Sequence, residues 1–461
     1  MIIGLRTAIS RALKSHANLL FLLMFGIVCL LSINYGILRS ARNALVVADL
    51  GKGASSIPIF ELCGTMPASV VMVFLLTRLL SRFSLHKVFM ITLTVFCGFF
   101  LFFAVVIYPS LPFLEAHLAA IPWLVTMLPQ LFSMLFFVMA ELWKIALLTV
   151  LFWGLVNQYI PLGDAKKYYG PLMLGGSIGI MLAGPIISLC TADTLSNRSW
   201  GQSLTLMMGA LALIGGLTAY LYNLLWKKLC DQQPEERQEK ATITLWESIR
   251  LCLKSKYLAL LAWLTIADYI AYALGEVVFL DVVKTKYSDP RTYCDFMGKL
   301  SLWSGLLTAV SALVITPILL RKCRWTAASL VTPVCLLVTE GAFFLTIWRG
   351  DFNLDFAVFL GTLFFCFVRA AKSTLFDTSK ELSFIPLPSL EKMQGKLVID
   401  GMCSRFGRGS ASLISIVLIQ TCGGVLASVA IAGPLVLVIA TSCVLSTFKL
   451  GSLVERVIPA K

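Results

Sequence analysis

Twelve apolar stretches of 20 or more residues make up most of this 461-residue chain. A helix of about 20 residues matches the ~30 Å hydrocarbon core of a bilayer, where the backbone must satisfy its own hydrogen bonds. The chain is thereby restricted to an all-α integral membrane protein with about 12 transmembrane helices. The stretches are 19–38, 57–80, 88–108, 131–156, 171–190, 203–226, 257–279, 297–320, 326–347, 356–375, 397–420 and 425–448. Composition agrees, since 13% charged residues is about half the roughly 25% of an ordinary soluble domain. A further apolar stretch, 111–128, is broken by Pro112, Glu115, His117 and Pro122 and reads as interfacial or re-entrant.

Lysine and arginine collect in cytoplasmic loops, which gives an independent check on this count. With twelve spans and a cytoplasmic amino terminus, 25 of the 38 basic residues fall on the cytoplasmic side and 8 on the opposite side. Both termini are then expected in the cytoplasm. The formal charge of +14 belongs mainly to the face that meets anionic lipid. No basic block interleaved with aromatics stands on a soluble domain, so nucleic acid is not an expected partner. The basic amino-terminal residues followed by an apolar run read as an uncleaved first span. Thirteen scattered cysteines without a C-x-x-C pair, and three separated histidines, argue against a protein metal site and for cysteine as a small packing residue.

The polar interval 227–256, with the core DQQPEERQEK, is too short to fold alone and reads as a cytoplasmic linker. It would join an amino-terminal six-helix half, 1–226, to a carboxy-terminal half, 257–461, a plan common among secondary transporters built from repeats. The fourth stretch carries Glu141 and Lys144, and the tenth ends on Arg369 and Lys372. Each pair is spaced i, i+3 and so lies on one helical face. Glycine-rich runs begin the fifth stretch, at 175–179, and mark the eleventh, at 404–412. Close helix packing is the plainer reading of Gly175, Gly176 and Gly179.

Charges within spans carry the functional argument: Glu141, Lys144, Glu276, Arg369, Arg405 and Arg408. An ionised side chain at the centre of a span raises the free energy by at least about 2.5–3.5 kcal/mol unless it faces a polar pathway or a partner. Arg405 and Arg408 share a face, with Gly407, Gly409 and Ser410 beside them. A guanidinium stays charged and binds phosphate oxygens in a two-pronged fork. Together with Arg42 and Lys144, these cations point to an anionic, phosphorylated solute. For Lys144 alone, a salt bridge to Glu141 is an equal reading.

Specific stretches resemble a known family, the non-mitochondrial ATP/ADP translocases of obligate intracellular bacteria and plastids. They are INYGILRSARNALVVADLGKGASSIPIFELCG (33–64), ELWKIALLTVLFWGLVNQY (141–159) and GDAKKYYGPLMLGGSIG (163–179) in the first half. The second half adds GEVVFLDVVKTKYSDPRTYCDFMGKLSLWSG (275–305), KSTLFDTSKELSFIPLP (372–388) and GKLVIDGMCSRFGRGSASLI (395–414). The resemblance implies a twelve-span carrier of the major-facilitator type in a bacterial inner membrane, exchanging ATP for ADP by alternating access. Proton-driven import of other nucleotides or nucleotide-like phosphorylated solutes is the alternative, with phosphate or protons as co-substrate. The family's functional positions are matched by Arg42, Glu141, Glu276 and Arg408. Where the family commonly reads L-R-D-T-K-D this chain has LRSARN, so two acids are replaced by Ser40 and Asn43, and Leu280 stands where a lysine is common.

The expected substrate site is therefore Arg42, Glu141, Lys144, Glu276, Arg405 and Arg408, with Tyr35, Trp143 and Trp303 as candidates for stacking on the base, although lipid or core packing is the plainer reading of these three aromatics. No cofactor is expected. A membrane transferase is the competing class, but such sites need a metal, a Cys/His or Ser/His pair, or a carboxylate cluster, and the chain displays none. A regulatory protein that kept a carrier fold is a third class.

Overall fold

The computed structural model describes residues 2–50, 53–117, 121–159, 165–192, 198–229, 245–350, 352–384 and 387–457. Among these, eleven helices are long and apolar enough to cross a membrane. They are Leu19–Asp49, Gly53–Arg82, Leu85–Leu114, Trp123–Tyr159, Tyr168–Thr191, Trp200–Leu229, Lys256–Lys286, Pro290–Lys322, Trp325–Trp348, Leu354–Ser383 and Val429–Glu455. Residues 397–422 form one more continuous helix. It is more polar because it carries Asp400, Arg405 and Arg408, and it is the eleventh of the twelve expected spans. The chain is thus an all-helical multi-pass membrane protein. Spans are numbered below from first to twelfth in chain order.

The helix ends follow local chemistry. Ser84, Ser255, Asp289 and Asn353 accept hydrogen bonds from the first free backbone N–H groups of their helices, which helix geometry leaves without partners. Pro290 then occupies the first turn, where its missing N–H is no loss. Gly423, at φ 80°, ends the eleventh span in the left-handed conformation that glycine adopts without strain.

Two span limits differ from expectation. The first helix runs without a break through Arg39 and Arg42 to Asn43 and continues as a π-helix to Asp49, so these arginines do not lie in an outer loop. The tenth likewise extends beyond residue 375 to Ser383 and takes in Lys380. In each place an ion pair supplies what a hydropathy window cannot see. The stretch 111–128 divides between two helices, Tyr108–His117 continuing the third span's helix and Pro122–Trp143 beginning the fourth's, with Pro122 in a first turn where its missing N–H is no loss. The middle of the 227–256 linker lies outside the described residues.

The chain forms two compact units. Unit 1 holds Met1–Arg42, Ala68–Gln238 and Met297–Leu302; unit 2 holds Asn43–Pro67, Glu239–Phe296 and Trp303–Lys461. In unit 1, Phe89 stacks on Tyr222 at 3.8 Å between centroids, and Phe96 meets Trp143 edge-on at 5.8 Å. Gly175, Gly176 and Gly179 of the fifth span face Phe25, Val28, Cys29 and Ser32 of the first. An added Cβ at Gly179 would overlap the Cys29 carbonyl, so this glycine run serves close helix approach. In unit 2, Phe279 packs with Phe343 and Phe365. Gly407 of the eleventh span lies on the Ile266 carbonyl and Tyr269 of the seventh, at 2.9 and 2.8 Å from its would-be Cβ.

Short π-helical turns recur at corresponding spans of the two halves. Phe60–Thr65 and Ser311–Ile315 lie in the second and eighth, and Phe103–Ile107 and Leu336–Glu340 in the third and ninth. Lys144–Phe152 and Lys372–Phe376 lie in the fourth and tenth. Such turns widen the helix locally and are frequent at functional sites.

Candidate functional site: a cation, a carboxylate and a tyrosine in each unit

Lys144 and Lys372 are each the first residue of a π-helical turn in the fourth span of their half. Around each lies the same set of chemical groups. In unit 1, Arg42 of the first span is ion-paired to Glu141 of the fourth, with side chains 9% and 6% exposed. The Tyr35 hydroxyl donates to the same Glu141 oxygen at 3.4 Å. Lys144 lies one turn further along, its ammonium 5.6 Å from the Tyr35 ring centroid. The Arg42 guanidinium also stands 4.3 Å from the Phe137 ring centroid, a favourable cation–π arrangement.

In unit 2, Lys372 of the tenth span is ion-paired to Asp268 of the seventh, with side chains 17% and 7% exposed. Its ammonium lies 3.4 Å from the centre of the Tyr269 ring. Each half thus joins its first span to its fourth by a buried ion pair beside a tyrosine, with the signs reversed between halves.

Arg408 donates to Glu61 at 2.9 Å, both within unit 2, and stands 5.8 Å from the Tyr269 ring centroid. It is 36% exposed along its side chain, so it keeps room for an incoming anion. Arg405, three residues earlier, is exposed and enters no ion pair among the described residues. Glu276 lies two turns beyond Asp268, half-buried, and acts electrostatically on the buried Tyr293. The Asp268–Lys372 pair therefore lies apart from it along the seventh span. Arg408→Ala should lower nucleotide affinity about 10- to 150-fold, the range for losing a charged hydrogen bond, whereas Arg408→Lys should lower it far less. Equilibrium binding to the purified variants checks this, and a role limited to pairing Glu61 would change thermal stability while leaving affinity as it was.

The three stacking candidates separate. Tyr35 belongs to the unit 1 site. Trp143 is wholly buried, and its indole N–H donates to the Leu31 carbonyl at 3.2 Å; it ties the fourth span to the first, in line with the packing reading of this aromatic. Trp303 is 59% exposed in unit 2. The residues that sequence reasoning passed over are Asp268, Tyr269, Glu61 and Glu340, together with a cluster linking the tenth and eleventh spans. There Lys380 pairs with Asp400 at 2.7 Å and Asp377 at 3.5 Å, and Lys396 with Glu381 at 2.6 Å. Asp268 and Glu340 fall within predicted spans, so the mid-span charge criterion marks them as well.

Among the described residues no group of three or more His, Cys, Asp or Glu side chains could hold a metal. The helical fold is shared with transporters of known structure. The nucleoside transporter NupG superposes with a TM-score of 0.58 at 16% identity, covering 94% of this chain and 98% of that one. A POT family transporter in complex with a thioalcohol-conjugated peptide superposes with a TM-score of 0.62 at 10% identity, covering 93% and 96%. The chain thus shares the helical fold of these membrane proteins.

The sequence narrows the class. The pattern of the TLC ATP/ADP transporter family matches residues 7–453. ADP,ATP carrier protein 1 of Chlamydia trachomatis is 30% identical over 436 residues, which is 87% of this chain and 82% of that protein. The corresponding protein of Chlamydia pneumoniae is 30% identical over 93% of this chain and 90% of its own length. The chloroplastic ADP,ATP carrier protein 1 of Arabidopsis thaliana is 30% identical over 89% and 70%. The chain belongs to the TLC ATP/ADP transporter family, and nucleotide transport by ATP/ADP exchange is the activity that membership assigns to it.

Proposed function

We propose that this carrier exchanges ATP and ADP through phosphate-for-carboxylate substitution at its buried ion pairs. The observation that carries the reading is the matched arrangement of cation, carboxylate and tyrosine beside Lys144 and Lys372. In unit 1 a phosphate oxygen takes the place of Glu141 at Arg42 and draws in Lys144. In unit 2 it takes the place of Asp268 at Lys372, with Arg408 and Arg405 as further cations on the eleventh span. Glu276 serves the cycle as a charge-balancing carboxylate, and Tyr35 and Trp303 are available to the base.

The exchange follows from the electrostatics. A buried cation left without a partner is destabilised by several kcal/mol, roughly 3–5 when one member of a pair is removed. The empty site therefore closes on its own carboxylate, whereas a bound nucleotide keeps the cation satisfied during reorientation. Swapping one anion for another avoids exposing a bare charge, which favours counter-exchange over net flux. The six-helix halves 1–226 and 257–461, joined by the 227–256 linker, are the moving bodies, and both termini face the cytoplasm of a bacterial inner membrane. Phosphate or protons are the candidate co-substrates.

Proteoliposomes loaded with ADP should take up labelled ATP at least tenfold faster than empty vesicles. Uptake that ignores internal nucleotide would replace exchange by net import. Failure of nucleotides to enter or compete, while another anion does, would overturn the substrate.

A further inference from the structure

Lys372 opens the π-helical turn Lys372–Phe376 of the tenth span, and Ser311 opens the turn Ser311–Ile315 of the eighth. The two turns meet through hydroxyl groups. Ser311 Oγ lies 2.8 Å from Thr374 Oγ1, and the two residues are 4% and 6% exposed. The Thr374 hydroxyl has one proton, which it donates to the Ala370 carbonyl at 2.7 Å. Ser311 is therefore the donor to Thr374, and a chain of hydrogen bonds runs from the eighth span into the backbone of the tenth.

A π-helical turn holds one residue more than the α-helix around it. Inside the tenth helix, hydroxyls brace this turn: Ser373 donates to the Arg369 carbonyl at 2.9 Å and Thr378 to the Thr374 carbonyl at 2.5 Å. The Asp377 N–H reaches back five residues to the Lys372 carbonyl. Side-chain bonds to the backbone of this kind bend a helix. The fourth span repeats the chemistry, since Thr149 donates at 3.2 Å to the carbonyl of Lys144, which opens its own turn. Relaxation of such a turn to α-helix would rotate one flank against the other by about 100°, the angle per residue at 3.6 residues per turn. Lys372 stands at that junction, so the turn fixes where its ammonium points, onto Asp268 and over the Tyr269 ring.

We infer that Ser311 and Thr374 are positioning residues for nucleotide binding: their hydrogen bond pins the π-helical turn that aims Lys372 at the phosphate. The inference rests on the phosphate role given to Lys372 above. In the empty site Asp268 also holds the lysine. Once a phosphate takes the place of that carboxylate, the direction of Lys372 depends on its backbone, and the Ser311 bond fixes that backbone from a neighbouring span. A cation set in place beforehand loses less freedom when it binds.

ATP binding to the purified full-length carrier tests this. Ser311→Ala and Thr374→Val each remove one hydroxyl with little change of shape, and each should weaken ATP about 2- to 12-fold, the range for one net hydrogen bond. Thr374→Ser should restore affinity, the two substitutions together should weaken it no more than Thr374→Val alone, and neither should weaken it further in Lys372→Ala. A second readout follows the lysine itself. Pyridoxal phosphate, which forms Schiff bases with amines, should label Lys372 several-fold faster in Ser311→Ala and Thr374→Val than in wild type, because the ammonium has left Asp268; peptide mass spectrometry after borohydride reduction measures this. Labelling equal to wild type in both variants overturns the positioning role. So do, where Lys372→Ala weakens ATP, unchanged affinity in both hydroxyl variants or losses that persist undiminished in Lys372→Ala. Where Lys372→Ala leaves ATP affinity as it was, faster labelling keeps the positioning of Lys372 and overturns its phosphate role instead.

Discussion

Arg42→Ala is expected to abolish ATP/ADP exchange and to destabilise unit 1, because it leaves Glu141 buried without its cation. Removing one partner of a buried pair lowers stability by about 3–5 kcal/mol. Glu141→Ala should do the same from the other side. The informative variant is the double one. Arg42→Met with Glu141→Leu replaces both charges by apolar groups of similar size, which is often neutral or stabilising. Thermal unfolding of the double variant in detergent should return to near the wild-type midpoint, while exchange in proteoliposomes stays at background. Recovery of exchange along with stability would mean that the pair only holds the first span to the fourth. The Arg42 site would then lose its place in transport.

Lys372→Ala is expected to lower nucleotide affinity about 10- to 150-fold, the range for removing a charged hydrogen bond. Asp268, only 7% exposed along its side chain, would be left without its ion-pair partner. Lys372→Arg should keep part of the affinity, since the charge remains but its planar fork must fit beside the Tyr269 ring. Asp268→Asn should act in the opposite sense on binding: with its competitor gone, Lys372 becomes more available and affinity should rise or hold, while turnover falls because the empty site no longer re-pairs. Binding measured by calorimetry and exchange measured in vesicles separate these effects. A loss of affinity in Asp268→Asn as large as in Lys372→Ala would sink the substitution mechanism, because the carboxylate would then be holding the lysine in place rather than competing for it.

Part of this arrangement was legible in the sequence. In the folded chain Glu141 meets Arg42 and Tyr35, with Lys144 beside the Tyr35 ring, and their part in binding is the proposal made above. Their detection rests on a one-dimensional rule, that charge does not remain in an apolar span without a reason. Its failures are instructive. A first stretch closed at residue 38 leaves Arg42 outside it, because a hydropathy window counts an arginine as polar whether or not a carboxylate neutralises it. Trp143 was offered to the substrate because an aromatic beside two charges looks like a lining residue, whereas the helix turns its ring toward Phe96 and Leu31. Glu340 was passed over although it lies within a predicted span, because nothing around it in sequence hints that Gly275 makes its pocket.

The sequence by itself determined the membrane class, the number of spans to within one helix, the family and the presence of charged residues within the spans. These depend on quantities that add along the chain: apolar length against bilayer thickness, and the kinds of residue that interrupt it. Tertiary structure alone decided the pairings, Arg42 with Glu141, Lys372 with Asp268 and Arg408 with Glu61, and left Glu340 without a hydrogen-bond partner among the described residues. Residues 99, 104 and 347 positions apart meet only through the packing of helices. That packing is set by which glycines let two backbones approach and where a π-helical turn re-aims a side chain. A charge can be counted from sequence, but the free energy of burying it depends on the distance to its counter-charge, and that distance exists only in the folded molecule.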